Sequence, residues 1–303
     1  MLPVKVIAIG EVLMDIFPGY ERIGGAPFNF AYHLLKMDVP VCLITRIGQD
    51  SLGQRIANLM ELNGFDLQFV QRDEHHQTGK VNVTLNSQGN PTFDILADMA
   101  YDYIEVNDDI LNAVQQKPDL IYFGTLAQRT DNGHDVIQDI LAAREPNTRC
   151  LYDVNLRPGG WSEKVVKASL SACDALKVND EELEKIKVML DFSGSDPDFI
   201  DYLMHEYQID FISLTKGKAG SALFTLNGVY ELANTPLVIA GDTVGAGDAY
   251  TSMLALGYIN KWPPAQIVET AAALARRVCG IKGAIPAEAG FYDGLMKNEK
   301  GTA

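Results

Sequence analysis

Short apolar runs recur along this chain, separated by longer segments in which apolar residues return at helical spacing. The runs are Val4 to Ile9, Val41 to Thr45, Leu120 to Phe123, Cys150 to Val154, Ala175 to Val178 and Phe211 to Leu214. They are short and barely alternate, which predicts strands buried on both faces. Ala26 to Met37, Ser51 to Asn63, Val136 to Ala143 and Glu181 to Leu190 read as helices. Strand and helix in alternation imply an α/β fold with a parallel sheet between two helical layers. Right-handed crossovers place ligands at the carboxyl ends of such strands, where Gly10, Gly124, Asn155, Asn179 and Lys216 fall.

Two regions break this rhythm. Glu11 to Pro18 is a second strand candidate directly after the first. Gly79 to Leu85 and Thr92 to Leu96 read as a hairpin around Asn86-Ser87-Gln88-Gly89-Asn90. Within it Val81, Val83 and Leu85 alternate with Asn82, Thr84 and Asn86, the pattern of a sheet with one wet face. These pieces, about 11–25 and 79–104, predict a small antiparallel lid on a single domain that spans 1–303.

Composition narrows the function classes. Hydrophobic content of 47% and charged content of 21% suit a soluble globular chain with a sizeable core. The net charge of −15 repels nucleic acid and anionic membrane, and both are set aside as partners. An anionic substrate would need a local cluster of positive groups. The four cysteines lie far apart without zinc spacing and read as free thiols in a reducing cytosol. With no signal-peptide pattern and no apolar run of transmembrane length, the expected location is cytoplasmic. His75-His76 reads as solvated.

The strongest chemical signal is Gly241-Asp242-Thr243-Val244-Gly245-Ala246-Gly247-Asp248, followed by the apolar segment Ala249 to Leu256. Glycines here permit a sharp turn and close approach to a ligand. A helix beginning at this point would aim its free N–H groups at the turn, as an anion site requires. Asp248 then sits in the first turn beside the anion, where a carboxylate can take a proton from an attacking hydroxyl. Asp is also common there simply as a first-turn acid. No P-loop and no dinucleotide fingerprint after the first strand occur in the chain.

Two motifs, Gly24-Gly25-Ala26-Pro27-Phe28-Asn29 and Asp242 to Asp248, stand in an order and separation that resemble the ribokinase/PfkB carbohydrate kinases. The resemblance covers essentially the whole chain. Tyr152-Asp153-Val154-Asn155-Leu156-Arg157, Trp161 and Lys177 to Leu183 are similar to the fructokinase branch, with 2-keto-3-deoxygluconate kinases close by. It implies a ribokinase-like three-layer sandwich with a mostly parallel central sheet and a small β-sheet lid. It also implies phosphorylation of a sugar by ATP with Mg²⁺. Asp248 would be the base, and the Gly245, Ala246 and Gly247 amides the anion hole. Asp15, Gly24, Gly25 and Asn29 would hold the sugar. Arg157 would bind a substrate carboxylate or phosphate charge. Asn179, Glu182, Thr215, Gly217, Gly220, Thr243 and Ala272 would face the nucleotide. Glu182 would reach Mg²⁺ through water, although Asn179 and Glu182 also fit a capping box. Asp242, with the backbone near Gly283-Ala284, is a candidate K⁺ site.

The sugar stays open. The turn after the second main strand reads Gly48-Gln49-Asp50, and the lid segment Phe93-Asp94-Ile95-Leu96 has no arginine near its end, where fructokinase relatives often carry a base. A keto-acid substrate would need two or more bases in the pocket, and only Arg157 stands out. A nucleoside kinase would need an aromatic clamp, for which Tyr101 and Tyr103 are the only hint. A catalytically silent sugar or nucleotide sensor would be expected to lack Asp248. The exposed edges of the lid could support a homodimer.

Overall fold

The apolar runs become the strands of one nine-stranded sheet in a computed structural model that describes residues 4–85, 91–233, 243–288 and 290–295. In chain order its strands are β1 (Val6–Ile9), β4 (Val41–Gly48), β5 (Val70–Asp73), β8 (Leu120–Gly124), β9 (Arg149–Asp153), β10 (Ala175–Asn179), β11 (Phe211–Thr215), β12 (Ser221–Thr225) and β13 (Gly228–Leu232). Their spatial order is β13-β12-β11-β10-β9-β8-β1-β4-β5. Pairing is parallel from β5 through β11, and β12 and β13 add an antiparallel edge.

Both faces of the sheet are covered, which explains the continuous apolar runs. Val6 and Ala8 pack with Phe28, Phe30, Leu254 and Leu274 on one side. Those residues belong to α1 (Ala26–Lys36), α8 (Ala246–Ile259) and α9 (Pro264–Val278), and α2 (Ser51–Leu62) shares that face. Ile7 and Ile9 point the other way, toward α3 (Asp108–Gln115), α4 (Asp131–Ala142), α5 (Glu163–Ala172), α6 (Asp180–Met189) and α7 (Asp196–Glu206). Each fully buried large apolar side chain contributes about 1.5–3 kcal/mol. The sequence reading missed α3, α5, α7, β5, β12 and β13. Exposed β13 shows residues such as Val229 to solvent, so its pattern lacks an apolar run.

The second sheet is the expected lid with one strand more than expected. β2 (Leu13–Phe17), β3 (Tyr20–Gly24), β6 (Gly79–Leu85) and β7 (Pro91–Ile95) lie in the order β3-β2-β6-β7. The β2–β6 pair is parallel and the other two pairs are antiparallel, which corrects the purely antiparallel expectation. The turn expected at Asn86 to Asn90 lies outside the described residues. Val81 and Val83 are buried against Leu13 and Tyr101, while Asn82 and Thr84 are exposed.

Two polar ties hold the lid to the body. Asp50 caps α2 by accepting from Gly53 N at 2.7 Å and also accepts from Thr78 N at 2.8 Å, just before β6. Beyond β7, buried Asp102 takes a two-point bond from Arg129, at 2.8 Å from Nε and 2.7 Å from Nη2. The same Nη2 donates to the Leu96 carbonyl at 2.7 Å. Such forked pairs are geometrically specific. His75 is exposed as expected, but His76 is half-buried, 3.1 Å from Asp73 Oδ2 and stacked on Tyr103. Among the described residues no helix is long and apolar enough to cross a membrane.

Candidate active site

Two helix N-termini, from opposite ends of the sequence, meet above the carboxyl ends of the strands. α1 starts after Gly25, whose φ is 106°. A Cβ there would lie 2.5 Å from the Glu11 carbonyl oxygen, so a side chain is excluded by both conformation and space. α8 starts after Gly245, at φ 76° in the left-handed region. A Cβ on Gly245 would lie 2.2 Å from Ala284 Cβ. The Gly245 and Gly247 amides donate to no acceptor among the described residues, while the Ala246 amide makes a long bond of 3.3 Å to the Thr243 carbonyl. Free first-turn amides are suited to an anion.

Asp248 lies in the first turn of α8, half-buried. Asn29 on α1 donates from Nδ2 to Asp248 Oδ2 at 2.7 Å, across 219 residues of sequence. Asn29 Oδ1 is buried and unpartnered among the described residues, an acceptor suited to a hydroxyl. Asp15 on β2 pairs across the lid sheet with Arg22 on β3. Its carboxylate lies over Gly24, where a Cβ would come within 2.7 Å of Oδ2. Glu11, unnoticed in the sequence, is buried and accepts from the Ala26 amide at 3.2 Å.

Three carboxyl groups thus share one enclosed region, and burial raises all three. Glu11 rises to about 7, offset in part by its own and the Ala26 amides. Asp15 rises to about 6, opposed by Arg157 and Arg22 and reinforced by Asp248. Asp248 rises to about 6, opposed by the Asn29 hydrogen bond, Lys177 and Arg157 and reinforced by Asp153. Arg157 itself is exposed and makes no ion pair with a described residue.

Behind the glycine turn lies a buried ion pair that the sequence reading passed over. Lys177 on β10 is the register partner of Asp153 on β9, with Nζ 3.0 Å from Oδ1. The Thr251 hydroxyl on α8 donates to Asp153 Oδ2 at 2.8 Å and lies 2.9 Å from the Gly247 carbonyl. A Cβ on Gly247 would lie 3.5 Å from Lys177 Nζ. Burial works against the Lys177 charge, yet Asp153 and Glu182 hold it above the ordinary lysine range. The signal was a single charge inside each of two neighbouring apolar runs.

On the other side of the turn is a cavity of about 730 Å³. Asn179, Thr215, Gly217 and Gly220 line it from the strand ends, and Thr243, Ala246 and Gly247 from the turn. Ala272 faces it from α9 while remaining buried, so packing and lining coexist. Lys218, Arg276 and Cys279 join them without having been anticipated. Asn179 and Glu182 form the capping box of α6. Asp180 and Glu181 line the cavity, whereas Glu182 does not. Asp242 lies outside the described residues, and of the proposed K⁺ site only the Gly283-Ala284 backbone is seen, against Gly245.

The pattern that defines the pfkB family carbohydrate kinases matches residues 10–289. A fructokinase of Salmonella typhimurium is 25% identical over 302 residues, covering 93% of this chain and 96% of the relative. A 5-dehydro-2-deoxygluconokinase of Geobacillus kaustophilus is 24% identical, covering 90% of this chain and 87% of the relative. Among solved structures, a fructokinase double mutant from Vibrio cholerae O395, bound to fructose, ADP and potassium ion, superposes with a TM-score of 0.81. It is 21% identical over 97% of this chain and 98% of its own, a likeness of fold.

Proposed function

The chain belongs to the pfkB family of carbohydrate kinases, and from that premise we propose that it transfers the γ-phosphoryl group of ATP to a primary hydroxyl of fructose. The observation that carries this reading is the Asn29–Asp248 bond at the head of α8, beside the glycine turn and its cavity. ATP occupies the cavity with its phosphates toward the turn, and the sugar lies against Asp15, Gly24, Gly25 and Asn29. Asp248 takes the proton from the attacking hydroxyl. A base that titrates near 6 is ionised at pH 7 and still basic enough to accept a proton. Asn29 holds Oδ2, which aims the other oxygen. The Gly245 and Gly247 amides, with Ala246 beside them, receive charge on the transferring group. Preset amides of this kind supply much of the stabilisation in phosphoryl transfer.

A hydrated Mg²⁺ would suit the α6 end of the cavity, which Asn179, Asp180 and Glu181 line. The ion would neutralise phosphate charge, which an acidic chain needs. K⁺ near Asp242 and a homodimer through the lid belong to the same reading. Exposed Tyr20 and Phe93 on the outer lid strands support the dimer. Constant monomer mass by light scattering over a wide concentration range would remove it.

A second reading, a 2-keto-3-deoxygluconate kinase, gains from Arg22. That residue is the register partner of Asp15 and, like Arg157, lowers the pull of burial on its carboxylate. The test is ADP release from Mg-ATP with fructose, glucose, ribose, tagatose, 2-keto-3-deoxygluconate, adenosine and inosine. Preference for fructose supports the first reading, and preference for the keto-acid replaces it with the second. ATP binding without turnover on any of them counts against both and moves weight to an untested sugar or to a sensor.

A further inference from the structure

Glu182 is third in α6 and 5% exposed. Its two carboxylate oxygens are committed to two different elements. Oε2 accepts from the Asn179 amide at 2.9 Å, within its own capping box. Oε1 accepts from the Leu156 amide at 3.0 Å, in the segment that follows β9. Leu156 immediately precedes Arg157.

That segment has other anchors too: the Leu156 side chain is buried in the core, and the Arg157 carbonyl accepts from the Gly160 amide at 2.9 Å. Val154 is fixed by its amide donating to the Lys177 carbonyl at 3.1 Å and by its carbonyl accepting from the Thr125 hydroxyl. Asn155 then turns the chain through a left-handed conformation at φ 39°. Leu156 follows, held by Glu182. The Arg157 side chain extends beyond this point, exposed and bonded to no described side chain, with Glu11, Asp15 and Asp248 in its field. An arginine without a hydrogen-bonded side chain relies on its backbone position to keep it near those carboxylates.

We propose that Glu182 is a positioning residue: it fixes the Leu156 backbone so that Arg157 stands over the sugar-side carboxylates, and it joins that segment to Asn179 on the nucleotide side. The proposal rests on the sugar-kinase reading and deepens it. It departs from the water-mediated Mg²⁺ role that resemblance suggests for Glu182. Each Glu182 oxygen accepts from a backbone amide, and Glu182 is not among the residues that line the cavity. Asp180 and Glu181 do face the cavity.

The test is a double-variant cycle in the full chain with the preferred sugar. Glu182→Gln replaces one acceptor with an amide N–H and so loses one of the two backbone bonds. We expect kcat to fall about 10-fold or more, with the Mg²⁺ concentration for half-maximal rate and KM for ATP within about threefold of wild type. Arg157→Met should cause a loss of similar size. The double variant should fall no more than about threefold below the worse single one, because coupled residues are not additive. Multiplicative losses, or a Glu182→Gln rate restored by excess Mg²⁺, would overturn the proposal.

Hydrogen exchange on the wild-type chain decides the matter if Glu182→Gln does not fold, and also if no sugar turns over. The Leu156 amide should exchange slowly without Mg²⁺ and be unchanged by adding it. Fast exchange, or protection that appears only with Mg²⁺, would sink the proposal. Failure of the sugar panel would sink the kinase reading separately.

Discussion

The two sides of the glycine turn are built from different materials. Toward α1 and the lid, the site gathers charge: Glu11, Asp15 and Asp248 lie together with Arg157 and Arg22 acting on them. Toward α6 and α9, it gathers space: glycine, alanine and threonine make up half the lining of an open cavity, with Asp180, Glu181, Lys218 and Arg276 among the rest. On the first side each group alters its neighbours' protonation, so a single substitution disturbs all of them. On the second, a substitution at a small lining residue matters chiefly by the volume it fills. Lys177 and Asp153 underlie both sides, sharing the electrostatics of the first and supporting the turn that borders the second.

The sharpest break in this contrast is Asp248→Asn. The amide keeps the shape and removes the base, so kcat should fall about 10²–10⁴-fold. Sugar affinity by calorimetry should stay within a few-fold. Near-normal turnover would strip Asp248 of its role. In the wild type, kcat/KM should decline as pH drops through about 6, where the Asp248 carboxyl takes up its proton. A profile flat to pH 5 would contradict that.

Next in size is Lys177→Met. It leaves Asp153 charged and unpaired in the core, where removing one partner costs about 3–5 kcal/mol. Thermal melts should show a large loss, relieved in part by adding Asp153→Asn. A variant as stable as wild type would mean that the pair carries no such cost.

A smaller effect separates the two sides. Ala272→Trp fills the cavity from α9 and should raise KM for ATP by about tenfold, near 1.4 kcal/mol. Sugar binding should not change. A matching loss of sugar affinity would show that the sides are not separable.

The smallest prediction concerns stability against pH. Glu11 titrates at about 7 in the folded chain against an ordinary value of 4.5. Between those values the folded state holds a proton that the unfolded state has released, so this group's contribution falls as pH rises. Glu11→Gln, which is neutral throughout, should therefore raise the melting temperature at pH 8 more than at pH 4. An equal shift at both would remove burial of the charge as the cause.

The legible parts of this site were those with local backbone demands. Gly25 and Gly245 occupy conformations that other residues resist, and both were marked in the sequence. Asn179 and Glu182 showed their capping-box spacing, and the box forms. Glu11 was not legible, because a lone acid between apolar residues looks the same whether it faces water or a buried helix start. Arg22 was passed over for a similar reason: its strand, β3, begins with two exposed residues and lacks an apolar run.

By itself the sequence determined the strands buried on both faces, the helices between them, the glycine turn and the family. The elements follow from periodicity and from φ angles, which each short segment settles within itself, and the family follows from the resemblance of two motifs. Only the tertiary structure decided which groups meet. It set Asn29 against Asp248, placed Lys177 opposite Asp153 through the β9–β10 register, and turned Glu182 from the cavity toward Leu156. Such pairings depend on how distant segments pack, and no local pattern encodes the partner across that distance.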